Sequence, residues 1–384
     1  MTAATGFAAS DLFQVLRDGK PRTRSELIDI TGLSRTTIGS RIDSLVESGM
    51  VTALADAIST GGRPSARVAF NPQARVIAAA DLGATHATVA LTDLASQVIV
   101  EVHTAMEIAA GPQVVLDWLT TIISQLLVEA GRSSSELLAI GIGVPGPVEH
   151  TTGRPSNPPI MPGWDNYDIP GHVQRSYPVP VLVDNDVNIM ALGERAMSWP
   201  AADHLMFLKV ATGIGSGIIS GGVLQRGAEG IAGDIGHISI SRGAATVCRC
   251  GNTGCLEAVA GGPAIAAELR SEGIDASNGN DVVDLVRAGN VRALQIVRQA
   301  GRDIGEVLNM CVSIVNPSVI VVGGSLAQLG EQLIAGIREV VYARSMPLAT
   351  RQLSIVQSQT GPESAVIGAS LIAIEHALAP ENMT

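Results

Sequence analysis

The sequence is short of aromatic residues, with 4 Phe, 3 Tyr and 3 Trp in 384 positions. A core that cannot be filled with rings must rely on aliphatic side chains and close backbone contacts, which its many alanines and 42 glycines allow. That balance points to an α/β protein whose helices lie close on their sheets. No apolar run reaches the roughly 18 residues needed to cross a bilayer, which excludes a helical membrane protein. The N-terminus lacks the basic-then-apolar order of a secretory signal, so the expected location is the cytoplasm. Cysteine is scarce, and three of the four crowd into residues 248–255. A disulfide framework would spread them, whereas crowding fits metal binding. An excess of positive charge is missing too. The net charge of −11 excludes a chain that coats nucleic acid over its whole surface. The charge is unevenly divided, with +1 on residues 1–70 and −12 on the rest. This implies an acidic body with a separately specialised head.

The head reads as three helices. Residues 9–18 put Leu12, Phe13, Val15 and Leu16 on one side, and Gly19 and Pro21 stop the helix. Thr23 opens a second helix with the capping box Thr23-x-x-Glu26, carrying Leu27, Ile28 and Ile30. Thr31-Gly32-Leu33 makes a tight turn, and Ser34 caps a third helix. Its apolar stripe is Ile38, Ile42, Leu45 and Val46, and Gly49 ends it. Two helices joined by a short glycine-containing turn form a helix-turn-helix. The start of the second helix of that motif meets base edges. Here it presents Arg35, Thr36, Thr37, Ser40 and Arg41, small or cationic groups suited to phosphates and guanine. Two strands around Gly-Gly-Arg-Pro complete a winged helix-turn-helix, with Arg63 at the wing tip suited to a narrow minor groove.

From residue 76 the pattern changes to apolar strands broken by glycine turns. VIAAADLGATHATVALTDL is strand, turn, strand, with Asp81, Gly83 and Thr85 at the turn. This resembles the first phosphate loop of the actin-like ATPase and sugar kinase superfamily. Glycine admits phosphate to the backbone N–H groups, and the aspartate can hold hydrated Mg²⁺. MFLKVATGIGSGIISGGVL repeats the design with Thr212, Gly213, Gly215 and Gly217. VNPSVIVVGGSL ends in Gly323-Gly324, like that superfamily's adenosine-contacting turn. A third motif is His237-x10-Cys248-x-Cys250-x4-Cys255. One imidazole and three thiolates match the tetrahedral preference of structural zinc, with no position left open for chemistry. Cys311, within a helical stretch, is expected in the core.

Together these motifs resemble the ROK family (repressors, uncharacterised reading frames and sugar kinases) from about residue 76 onward. The winged head matches its repressor branch. The resemblance implies an actin-like (ribonuclease H-like) α/β fold. The expected divisions are a DNA-binding domain at 1–72, a first lobe at 76–190 completed by a C-terminal helix at 362–380, and a second lobe with the zinc site at 191–361. It places a sugar site at Asn185, Asp186, Asp234, His237 and Glu257, with Asp186 at the catalytic-base position and zinc holding His237 and Glu257 in place. The chain also departs from the family pattern. Asp234 stands where Glu is usual, and Ile160 where a sugar-contacting Asn is usual, with Asn157 nearby as a substitute. Ala84 and His86 alter the first phosphate loop, and Ala211 and Ser216 the second, each adding bulk where phosphate approaches. The implied function is a sugar-responsive transcriptional regulator, a repressor, that binds operator DNA and a sugar or sugar phosphate as a homodimer or homotetramer. The alternative is an ATP-dependent sugar kinase with a DNA-binding head. In that case Asp186 would be the base, and Asp81, Gly83, Thr85, Thr212, Gly213, Gly215, Gly323 and Gly324 would hold ATP and Mg²⁺.

Overall fold

The structure is a computed structural model that describes residues 9–54 and 66–383. The head contains α1 (Ala9–Leu16), α2 (Arg24–Thr31) and α3 (Arg35–Glu47). Thr23 caps α2 with both halves of the box formed: its N–H donates to Glu26 Oε2 at 2.7 Å, and the Glu26 N–H donates to Thr23 Oγ1 at 3.2 Å. Ser34 caps α3 through the Thr37 N–H at 3.2 Å. Ile38, Ile42 and Leu45 are buried as expected. Val46 is not: it remains 39% exposed, outside the stripe that meets α1, and Ile30 of α2 is 55% exposed. Helix α1 also ends at Leu16, two residues earlier than expected. The strands β2 (Val51–Leu54) and β3 (Arg67–Phe70) pair antiparallel, and β3 also pairs with a short β1 (Arg22–Thr23) that the sequence pattern did not mark. The wing tip, including Arg63, lies outside the described residues.

The body holds two five-stranded sheets built to one plan. The first contains β4 (Val76–Leu82), β5 (His86–Thr92), β6 (Val98–Ala105), β7 (Leu137–Val144) and β8 (Val181–Asn185), in the order β8-β7-β4-β5-β6. The second contains β9 (Leu205–Val210), β10 (Ile214–Ser220), β11 (Val223–Leu224), β12 (Val319–Gly323) and β13 (Ser354–Gln357), in the order β13-β12-β9-β10-β11. In each, a central strand pairs parallel on one side and opens an antiparallel meander on the other. The central strands β4 and β9 have little exposed surface, which is why they read as unbroken apolar runs. Their C-terminal ends turn through the two glycine loops, so both loops emerge at the carboxyl ends of strands. That is where open α/β sheets bind ligands.

Helix α4 (Pro112–Glu129) packs on the first sheet. Helix α5 (Asp186–Ser198) follows β8 directly. In the second half, α6 (Val291–Val315) and α7 (Glu331–Arg344) pack against each other. Helix α8 (Glu363–Ala377) returns to lie on β4 and β7 and against α5. The α5–α8 crossing is close because glycines form it. A Cβ built on Gly193 would fall 1.8 Å from the Ser364 carbonyl oxygen, and one on Gly368 would fall 1.8 Å from that of Ile189. Backbones in such contact cannot slide past one another without separating. The far end of α8 meets the head. Ala373, Ile374, Ala377 and Leu378 share one apolar cluster with Leu12, Phe13 and Leu16. Each fully buried leucine or phenylalanine there contributes about 2 kcal/mol. Gln14 Nε2 donates to the Leu378 carbonyl at 2.6 Å.

Candidate functional site

A cleft of about 1020 Å³ opens at the strand ends, and residues from both sheets line it. Asp81 and Thr85 come from the first glycine loop, and Thr212, Gly213 and Gly215 from the second. Gly323 and Gly324 close one side, and Asn185 and Asp186 enter from the start of α5. Asp234, His237 and Glu257 complete the wall, so residues spread over more than 240 positions share one cavity. Gly217 and Gly83 are the exceptions. Gly217 lies within β10 against α5, where a Cβ would meet Ala191 Cβ at 2.5 Å, and Gly83 lies beneath the His86 ring, where a Cβ would sit 2.3 Å from His86 Cε1. Ile160 lines the cleft, but Asn157 does not. The Asn157 N–H is tied to Asp165 Oδ1 at 2.8 Å, and with no part in the cleft lining Asn157 does not fill the place of the asparagine expected at position 160.

The two residues at the start of α5 have different duties. Asn185 caps the helix. Its Oδ1 accepts from the Val187 N–H at 2.9 Å, and its Nδ2 donates to the Gly146 carbonyl at 2.8 Å. Most of its amide is therefore spent on structure. Asp186 is buried, and Lys209 Nζ on β9 lies 2.5 Å from its Oδ2. Burial disfavours the charged form of Lys209, but the fields of Asp186 and Asp81 and the hydrogen bond outweigh it, and its pKa is raised. Asp81 is also buried. Its Oδ2 is 3.5 Å from His86 Nε2, and its Oδ1 has no hydrogen-bond partner among the described residues. Asp184, one residue before Asn185, accepts from the Asn185 N–H and Asn188 Nδ2, both at 2.8 Å, and from Arg226 Nε at 2.7 Å. This buried network fixes the bend from β8 into α5. Glu257 Oε2 accepts the Ile214 N–H of the second loop at 3.1 Å. Sequence reasoning missed Lys209, Arg226 and the position of the His86 ring.

Beside the cleft, one atom each from His237, Cys248, Cys250 and Cys255 gathers within 4.8 Å. His237 Nδ1 lies 3.6 Å from Cys248 Sγ, and Cys250 Sγ 3.7 Å from Cys255 Sγ. Zinc–sulfur bonds of about 2.3 Å at tetrahedral angles place sulfurs roughly 3.8 Å apart, so this donor set fits zinc. Gly251 and Gly254 take φ of +89° and +81° to let the chain wrap that tightly. Cys311 is buried elsewhere, in α6, as expected. On the head, Arg35, Thr36 and Ser40 are exposed on α3. Thr37 instead shares its hydroxyl with Ser34 Oγ at 2.8 Å, and Arg41 is half-buried with Nη1 unpartnered among the described residues. Among the described residues no helix is long and apolar enough to cross a membrane.

Comparison with known proteins agrees with this geometry. A xylose repressor from Bacillus spizizenii is 28% identical over 369 residues, covering 96% of this chain and 94% of its own. A glucokinase from Halalkalibacterium halodurans is 30% identical over 253 residues, but that match covers only 62% of this chain. Among solved structures, a ROK family transcriptional regulator, a homologue of the E. coli MLC protein, superposes with a TM-score of 0.82 over 97% of this chain at 24% identity. The model of the ROK family matches residues 77–376. The chain therefore belongs to the ROK family.

Proposed function

We propose that this protein is a sugar-responsive transcriptional repressor. One observation carries the proposal: its similarity to xylose repressors runs through head and body alike, with 96% of the chain covered. The head supplies the DNA-binding surface, with Arg35, Thr36 and Ser40 of α3 toward bases and phosphates and Thr37, Arg41 and Arg63 in support. The cleft takes the sugar. Asp186, Asp234 and Glu257 offer acceptors to hydroxyls, and His237 offers its second ring nitrogen while zinc holds the first. Arg249 on the cleft wall makes no ion pair among the described residues, and it is the group that would meet a phosphate if the effector were a sugar phosphate. Asn185 contributes its free amide hydrogen.

A sugar that binds one cleft geometry better than another shifts the population of the two. Helix α5 starts at the sugar-contacting Asp186, crosses α8 through Gly193 and Gly368, and α8 ends in the head's core. That chain of rigid contacts is our candidate route from sugar to head. In a dimer, the shift changes the spacing of two heads that must match half-sites about one helical turn apart, or a multiple of it.

The test is operator binding by the full chain, with DNA from its own genomic neighbourhood and a panel of sugars and sugar phosphates. ADP release is measured on the same sample. Sugar-dependent loss or gain of operator binding without ADP release supports the proposal. Failure to bind any such DNA overturns it, and ADP release that Asp186→Ala abolishes would turn the reading toward a sugar kinase.

A further inference from the structure

The ROK fold includes sugar kinases, whose cleft would hold a magnesium nucleotide against the loops at Asp81 and Thr212. The residues present here do not fit that group. We propose that Lys209 is a built-in cation that takes the place of the divalent metal at Asp186 and Asp81, so that this cleft binds its ligand without a magnesium nucleotide. The proposal rests on reading the cleft as a ligand site, not on which sugar fills it.

Three features of the cleft support this. First, Lys209 Nζ lies 2.5 Å from Asp186 Oδ2, and the Asp81 carboxylate acts on the same ammonium. A metal ion would have to displace a covalently tethered positive charge. Asp81 Oδ1 is buried and without a hydrogen-bond partner among the described residues, and Asp186 Oδ2 is already taken by the ammonium, so a magnesium ion, which is held through one or two carboxylates and water, would have to compete with Lys209 for Asp186. Second, the His86 ring covers the Gly83 backbone that phosphate would approach. Third, the Ile214 N–H of the second loop is already given to Glu257 Oε2, so it is not free to meet a phosphate oxygen.

Composition makes the choice of residue pointed. The chain has 23 arginines and only two lysines, Lys20 and Lys209. Lys20 is exposed in the head, so the whole body keeps one lysine, and it lies in the cleft. An ammonium is a compact point charge, close to a metal ion in how it satisfies carboxylates. A planar guanidinium is not. Asp186 can thus persist at a catalytic-base position as a ligand acceptor held in place by Lys209.

The test uses the full zinc-loaded chain, with Mn²⁺ followed by its electron-spin resonance and a non-hydrolysable ATP analogue followed by calorimetry. The wild-type protein is expected to bind neither at millimolar concentration. Lys209→Met leaves two carboxylates without their cation and is expected to raise Mn²⁺ affinity roughly tenfold or more, the equivalent of one pKa unit or above. Adding Asp81→Asn is expected to remove that gain. Wild-type binding of Mn²⁺ or the analogue that Asp81→Asn abolishes overturns the proposal, and this arm requires no Lys209 variant to fold. A folded Lys209→Met chain, with unchanged circular dichroism, that gains no Mn²⁺ affinity overturns it as well. These measurements need neither DNA nor sugar, so their failure leaves the repressor reading standing, and failure of operator binding leaves this proposal standing.

Discussion

Gly368→Ala tests whether the α5–α8 crossing carries the signal. The new methyl would sit 1.8 Å from the Ile189 carbonyl oxygen where ordinary contact begins at 3.4 Å, so the two helices must part by roughly 1.6 Å at that point. Overpacking of this kind costs about 1–3 kcal/mol. Alanine returns about 1 kcal/mol through its better helix propensity, leaving a net loss of roughly 1 kcal/mol. The effect on coupling is the more telling quantity. If sugar and head communicate through this contact, the ratio of operator affinities with and without saturating sugar should shrink by about 0.5–2 kcal/mol. Fluorescence anisotropy of labelled operator measures the ratio, and urea unfolding measures the stability. Gly301→Ala is the control. It crowds the α6–α7 crossing, where a Cβ would meet the Leu333 carbonyl oxygen at 2.3 Å, and should destabilise without changing the ratio. If Gly368→Ala leaves the ratio intact, or Gly301→Ala lowers it equally, the proposed route is wrong.

Further outcomes follow from the same contacts. Asp186→Asn strands the largely buried ammonium of Lys209, so it should lower unfolding stability by about 3 kcal/mol in urea titration and abolish the sugar response in operator binding. Cys250→Ser should lose zinc by metal analysis and the sugar response together, because His237 and Glu257 border the knot and the cleft at once. Zinc loss with an intact response would mean that the metal does not hold the sugar site. Arg35→Ala should weaken operator binding by about 1–3 kcal/mol if it reads a base. It should instead lower the salt dependence by about one charge if it contacts phosphate.

Local signals were legible and spatial ones were not. The capping box at Thr23 and Glu26, the cap at Ser34 and the turn at Gly32 all formed, because each depends on neighbours within four residues. The zinc cluster was equally plain, since its four donors lie within nineteen positions of chain and share a chemistry few other arrangements satisfy. The two sheets follow from buried apolar strands and glycine turns. Lys209, by contrast, sits in an ordinary β-strand, and only the pairing of β9 against the start of α5 shows that it faces Asp186. The scarcity of lysine was the one available clue. Helical periodicity marks which face of α5 is buried, but not that Gly193 and Gly368 meet a carbonyl on the other helix. Val46 shows the opposite error, since periodic spacing predicts a buried stripe wider than the small head can cover.

The docking of the head at Leu378 bears on how such a molecule can be rebuilt. The contact combines one amide hydrogen bond from Gln14 with an apolar cluster in which α1, α3 and the β2–β3 hairpin strands meet Ile77, Leu94 and Ala139 of the first lobe and the last turns of α8. Arg35, Thr36 and Ser40 on α3 are not part of it, and neither are the polar groups that line the cleft. What a regulator recognises on DNA and what it senses are thus separable here, joined through one shared apolar cluster. A different set of exposed α3 side chains could be placed on this body, provided that the buried Ile38, Ile42 and Leu45 and the contacts of Leu12, Phe13, Gln14 and Leu16 are retained.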